Sequence, residues 1–243
     1  MGEHRCCDDG FALIVVMMAM ALMSALGAAL ILVTSSETLI ASTYRSSVEA
    51  FYAADAIGER AIDELSSSAD WNAALNGLVH SSFVDGPSDG TRALAGGVTL
   101  DLTQAVNLAN CGKTTCSSAD LVENATGDRP WALDNPVWQL FGYGPLSSML
   151  SGGSVDADTP FYVIAMVARN PSAHVGDPPM TIMVRAEAFG PRSTHKVIEL
   201  TIARDFTERD GQDGQDGLEG QSGPPGGNPQ SAHVRVLSWR EIR

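Results

Sequence analysis

The chain has 243 residues, enough for one membrane helix and one soluble domain. Its 15 Lys plus Arg against 29 Asp plus Glu leave a formal net charge of −14. With no basic stripe interleaved with aromatics, this excludes a surface built to track a phosphate backbone, and no nucleic-acid partner is expected. The chain opens on a polar leader, residues 1–10, in which Glu3, Asp8 and Asp9 outnumber Arg5. From Phe11 an apolar run extends to Val33, interrupted only by Ser24. As a helix this run is roughly 35 Å long, enough to cross a bilayer core of about 30 Å. A secretory signal peptide has a positive start, a shorter apolar core and a cleavage site after it. Here the suggestive cleavage point, Gly10, precedes the apolar run, so the helix is retained.

Beyond Val33 the composition turns polar, yet Ile40, Tyr44, Val48, Phe51, Gly58, Ile62 and Leu65 still fall near one helical face. No proline stands between Phe11 and Ser66. One long helix is expected, its first half in lipid and its second half packed under a globular head. Residues from Ser66 to about Gly97 read as a loop or short-helix region anchored by Trp71 and Phe83. The alternating Val98–Leu102 reads as a strand. Asn107 to Gly153 holds two cysteines, Trp131, Trp138 and several Gly and Pro, and reads as an insertion with few regular elements. Three strands follow, Phe161–Arg169, Met180–Phe189 and Thr194–Arg204, separated by Pro- and Gly-punctuated turns. Short connections favour an antiparallel meander. A long helix followed by a meander is an α+β arrangement.

Five Gly-x-y triplets from Gly211 to Gly226 are too few and too poor in proline for a collagen triple helix, and read as a solvated linker. After it His233–Arg243 regains strand character, with Val234, Val236, Leu237, Trp239 and Ile242 available to dock on the head while Arg235, Arg240 and Arg243 stay wet. Docking within the chain is favoured by the tether. Strand addition to a neighbouring subunit or partner is the alternative.

Two features carry a family resemblance. The Gly10-Phe11 junction stands directly before the membrane run, and Arg45-Ser46-Ser47-Val48-Glu49-Ala50-Phe51-Tyr52-Ala53-Ala54-Asp55-Ala56-Ile57-Gly58-Glu59-Arg60-Ala61-Ile62 follows it. Together they resemble the amino-terminal region of PilX-type minor pilins of type IV pili, with the class III signal shared by type II secretion pseudopilins. The resemblance implies a pilin-like fold, in which a long amino-terminal helix packs on an antiparallel sheet. It also implies cleavage after Gly10 by prepilin peptidase and N-methylation of Phe11. The chain would sit in the inner membrane with a periplasmic head, then enter a pilus or pseudopilus at the cell surface. Partners would be other pilins, met through the helix residues Phe11, Val15, Ala21, Ala25, Gly27 and Ala28. Small residues there permit close helix approach, although ordinary membrane-helix composition explains them equally. Major pilins carry a glutamate five residues into the mature chain, where this sequence has Val15. K-type pseudopilins, which occupy a filament tip, also lack it. The implied role is structural: filament priming, tip assembly and surface attachment, with a K-like tip pseudopilin as the second reading. A membrane-anchored enzyme or binding module is the third.

The chain thus divides into a leader (1–10), a membrane half (11–33) and a periplasmic half (34–66) of one helix, a head with a disulfide-containing insertion (67–204), a Gly-rich linker (205–230) and a terminal strand (231–243). Cys6 and Cys7 fall in the leader and leave with it. Cys111 and Cys116 lie on the exported side, where an oxidising compartment favours a local disulfide worth about 2 kcal/mol. Two free thiols are the alternative, and zinc lacks two further ligands nearby. Asp210, Asp213, Asp216 and Glu219, like Asp156 and Asp158, do not match a calcium loop. His80, His174, His195 and His233 are scattered, with no His-Glu-x-x-His helix, no Gly-x-Ser-x-Gly elbow and no phosphate loop. They read as lone surface histidines. No catalytic residue, metal or cofactor is expected, and the chain is not read as an enzyme.

Overall fold

A computed structural model describes residues 8–68, 70–94, 97–123, 135–150, 159–171, 181–205 and 233–242. Most of the leader, Trp131, His174, Asp156, Asp158 and the Gly-x-y tract with its carboxylates lie outside them. Two compact units divide the chain, Met1–Ser46 and Ser47–Arg243. Helix α1 (Asp8–Ser67) runs through the boundary.

In the first unit the side chains from Phe11 to Val33 are exposed. Among the described residues α1 is the one helix long and apolar enough to cross a membrane, and its best eighteen-residue stretch has mean hydropathy 2.5 with none of it buried. The polar interruptions are satisfied within the helix. The Ser24 hydroxyl donates to the Met20 carbonyl at 2.9 Å, and those of Thr34, Ser35 and Thr38 donate to carbonyls one turn back. Such bonds remove the cost of carrying a bare hydroxyl in an apolar medium.

The second unit is built on a five-stranded antiparallel sheet in chain order: β3 (Gln139–Pro145), β4 (Tyr162–Arg169), β5 (Thr181–Phe189), β6 (His195–Asp205) and β7 (His233–Ile242). This meander and the long helix make the α+β arrangement expected from the sequence. On one face Ala50, Ala53, Ala54, Ile57, Ala61 and Leu65 of α1 pack on Val163, Ala165, Val167, Val184, Ala186, Ile198, Leu200 and Ile202. The helix stripe is mostly alanine because its backbone comes close to the sheet. A Cβ added at Gly58 would lie 3.1 Å from Leu200 Cδ1 and 3.4 Å from Ala186 Cβ.

The other face is covered too. A small hairpin, β1 (Thr91–Ala93) with β2 (Thr99–Asp101), and helix α3 (Leu102–Cys111) bury Leu94, Leu100, Leu102, Ala105 and Ala109 with Trp138, Leu140, Tyr143, Ile164 and Met166. Burial on both faces explains why β4 reads as an unbroken apolar run instead of an alternating one. The outer edge of β3 carries a parallel bridge from Val84 to Tyr143, and the Ser81 N–H donates to the Phe141 carbonyl at 2.8 Å. Gly144 admits this segment, since a Cβ there would stand 2.8 Å from the Phe83 ring.

Three sequence expectations need correction. The strand read over Val98–Leu102 stops at Asp101, whose carboxylate accepts from the Gln104 N–H at 2.9 Å and starts α3. Residues 107–153 were expected to hold few regular elements, yet they supply the end of α3, α4 (Ser118–Glu123), β3 and α5 (Leu146–Leu150). The Gly and Pro there mark close packing and strand ends more than irregular chain. On β7, Val236, Leu237 and Trp239 stay about half exposed, at 44, 47 and 46%, while Arg240 forms an ion pair. The remaining short helix, α2 (Trp71–Leu75), is capped by Asp70 and buries Trp71, whose indole N–H donates to the Leu65 carbonyl at 2.8 Å.

Replacing Gly58 with valine is expected to destabilise the head by about 1–3 kcal/mol, because a branched side chain must displace Leu200 and Ala186. Thermal unfolding of the full chain in detergent, followed by near-ultraviolet circular dichroism, checks this. An unchanged midpoint would contradict the close approach.

Candidate functional site: helix surface, disulfide loop and C-terminal strand

The residues singled out from the sequence fall into separate places. Gly10 lies within α1, and Phe11 and Val15 are exposed at 71 and 48%. Ala21, Ala25 and Ala28 recur at helical spacing on one exposed face. A Cβ at Gly27 would meet nothing within 4 Å, so contacts within the chain give no reason for a glycine there. Glycine in a helix interior costs about 1 kcal/mol relative to alanine.

Cys111 and Cys116 are bonded to each other, with Cα atoms 6.1 Å apart. The bond closes the loop that ends α3, where Gly112 takes a left-handed φ of 71° and donates its N–H to the Leu108 carbonyl. Asn107 Nδ2 donates to the Thr114 carbonyl at 2.9 Å. Across the loop Asp120 pairs with Lys113 and accepts from the Ser117 N–H and hydroxyl. Those hydrogen bonds, Lys113 first, hold its carboxyl well below the usual carboxylate range. A buried amide clips this element to the sheet: Asn110 donates to the Trp138 carbonyl and accepts from the Trp138 N–H.

The sequence did not reveal a charged cluster on the α3 side of the sheet. Arg185 Nε lies 2.5 Å from Glu187 Oε1 and its Nη1 lies 3.0 Å from Glu199 Oε1. From β7, Arg240 Nη2 reaches Glu199 Oε2 at 2.7 Å. His195 Nε2 lies 2.9 Å from Glu187 Oε2, and its ring stacks on Phe189 at 4.4 Å. His195 is therefore not a lone surface histidine. Burial pushes the Glu187 carboxyl up, but Arg185 and His195 outweigh it and hold the group below its ordinary value. Burial alone would weaken the Arg185 charge, and the two carboxylates reverse that and raise its pKa. Residues 183, 185, 187 and 189 alternate with the apolar stripe of β5, a spacing that reads as a solvent face until α3 is known to cover it.

A cavity of about 340 Å³ adjoins this cluster, lined by Asp101, Gln104, Leu108, Arg185, Glu187 and His195 among others. Arg185 and His195 both bond Glu187 there, and Asp101 caps α3, so these side chains hold the strands and the helix together. Among the described residues no group of three or more His, Cys, Asp or Glu is placed to hold a metal.

An aromatic cluster joins α1 to β7 at the rim of the core. Phe51 meets Trp239 edge-on at 5.7 Å and Tyr52 at 5.6 Å, and Tyr52 is 64% exposed. Residues 9–56 match the family model described as PilX N-terminal. The matched stretch begins one residue before Gly10, takes in the whole exposed apolar run and ends at Ala56, just past the buried Ala53 and Ala54. The similarity to PilX N-terminal segments thus covers most of α1 and leaves its last turns and the sheet outside. No curated protein and no solved structure matches the chain.

Because Glu187 has a depressed pKa in the fold, it contributes stability that is complete above its ordinary value of 4.5 and is lost as pH falls through the lower folded value. Glu187→Gln is expected to cost about 3 kcal/mol at pH 7 by leaving Arg185 short of a partner. That deficit should shrink towards pH 3. Urea unfolding at the two pH values checks it, and an equal deficit at both would contradict the assignment.

Proposed function

We propose that this protein is a PilX-like minor pilin that acts structurally in a type IV pilus-like filament, in its priming or at its tip, with surface attachment carried by the head. The observation that carries the reading is the coincidence of the PilX N-terminal match, residues 9–56, with an apolar helix whose side chains from Phe11 to Val33 find no cover within the chain. Such a surface needs lipid first and neighbouring helices afterwards. Without a hydrophobic drive between helices in lipid, packing depends on van der Waals contact, which Ala21, Ala25, Gly27 and Ala28 favour by letting backbones approach. An uncovered Gly27 fits that role.

Maturation would follow from cleavage after Gly10 by prepilin peptidase and N-methylation of Phe11. The new amino terminus would then begin the membrane helix, held in the inner membrane with the head in the periplasm until assembly. The disulfide between Cys111 and Cys116 suits an oxidising compartment. The reading is of a structural, non-enzymatic protein, supported by the pairing of the charged groups in the sheet cluster.

Val15 favours a second reading, a K-like tip pseudopilin of a type II secretion system. An aliphatic residue in place of the glutamate of major pilins removes a carboxylate that would pair with a neighbouring amino terminus. A subunit with nothing above it has no use for that pair, since an unpaired carboxylate in lipid is costly.

Gly10→Val is expected to block maturation and remove the protein from sheared filaments, as read by immunoblot of membrane and sheared fractions from the native host. Normal maturation and incorporation of the variant would overturn the proposal. Val15→Glu is expected to shift labelled protein from filament ends to the shaft in immunogold images. Unchanged labelling would remove Val15 as support for a tip position.

A further inference from the structure

The C-terminal strand pairs along its length with β6 but adds little to either core. Neither core includes a fully buried β7 residue, and Val234 alone packs partly against one of them. Val236, Leu237 and Trp239 remain about half exposed. The strand is held by its ladder to β6, by the edge-on contact of Trp239 with Phe51, and by two ion pairs, Arg240 with Glu199 and Lys196 with Glu241. If β7 left, Glu199 would keep Arg185 as a partner, so the buried carboxylate would not be stranded. The four strands β3 to β6, with α1 and α3, would keep both cores.

The connection points the same way. Asp205 lies opposite His233 in the β6–β7 register, a separation that a two-residue hairpin loop closes. The sequence instead places residues 206–232 between them, 27 residues of which seven are glycine. Fully extended, a chain of that length reaches at most about 90 Å, against a radius of gyration of about 16 Å for a domain of this size. A tether sets an effective concentration for self-docking that is at most millimolar and falls as the tether lengthens. Copies confined side by side in a membrane compete at that level.

We propose that β7 exchanges between copies, each donating its terminal strand to β6 of a second copy in the same register. The occupant is another molecule of this chain because β6 already presents the matching partners: Leu200 for Trp239, Ile202 for Val236 and Glu199 for Arg240. Simple edge-to-edge pairing of two β7 strands does not offer this. The register that sets Val236 against Trp239 of the second strand also sets Arg235 against Arg240, and like charges directly opposed are destabilising. The exchange uses the proposed assembly only to bring copies together.

The test uses two full-length copies with different epitope tags, co-produced in membranes of the native host. One carries Thr201→Cys and the other Ser238→Cys, a pair opposed in the β6–β7 register. Exchange predicts a disulfide-linked dimer carrying both tags, reduced roughly tenfold when residues 211–226 are deleted, which leaves enough chain for a hairpin but shortens its reach. As a folding control, the double variant in one chain must form the bond. If it closes only within its own chain and the mixed copies give no dimer, β7 does not exchange. The sheared fraction, scored separately, tests the pilin reading: filaments containing the protein without cross-links would overturn exchange alone, and cross-links in membranes without filament incorporation would overturn the filament reading alone.

Discussion

The head depends on one close contact, the approach of a nearly flat helix stripe to a sheet. Ala50, Ala53, Ala54, Gly58 and Ala61 carry almost no side chain, and Ile57 and Leu65 supply the bulk at its middle and end. The strands answer with a mixture of sizes, from Ala165 and Ala186 to Ile198 and Ile202, so that ridge and groove interdigitate. A helix that packs through alanine gains little from each residue and relies on many atoms meeting at van der Waals distance. It tolerates enlargement poorly, which is why the stripe has little freedom in its sequence.

With α1 on one face, the sheet still had to bury the other. The hairpin and α3 do that over β3 and β4, where Trp138, Ile164 and Met166 fill the space. Towards β5 to β7 the same face becomes charged, with Arg185 between Glu187 and Glu199 and Arg240 closing the chain of ion pairs. A buried ion-pair cluster is weak as a source of net stability, since desolvation offsets most of the attraction. Its effect lies in register. Each charge sits on a different position of three adjacent strands, and a one-residue slip would turn every one of them to the opposite, apolar face.

The fold class was legible because its two strongest signals are long: an unbroken helical stripe without proline, and three strand runs bounded by Gly and Pro. The ends of β4, β5 and β6 fall within one residue of the sequence reading. Less legible was the segment after Asp101, where the strand-like Val98–Leu102 conceals a helix cap, and where β3 carries Gly142 and Gly144 that look like breakers. Their reason is a neighbour, the chain around Ser81 and Phe83, which no local pattern discloses. The charged cluster was hidden for the same cause: Arg185 and Glu187 sit at solvent-facing spacing, and only tertiary packing of α3 buries them. On β7 the apolar residues misled in the opposite direction, since Trp239 meets α1 only edge-on at Phe51 and keeps about half of its surface in water.

The functional account rests on the first half of α1. Its apolar side chains are uncovered, its hydroxyls are satisfied by its own carbonyls, and the PilX N-terminal similarity begins at residue 9, just before the apolar run. The proposed maturation would retain this helix and make Phe11 the amino terminus of a packing surface. The most direct measurement is intact-mass and amino-terminal peptide analysis of the protein extracted from membranes of its native host. The account predicts a chain beginning at N-methylated Phe11. A chain beginning at Met1, or one cut after Val33, would contradict it and leave an anchored or released domain with no part in a filament.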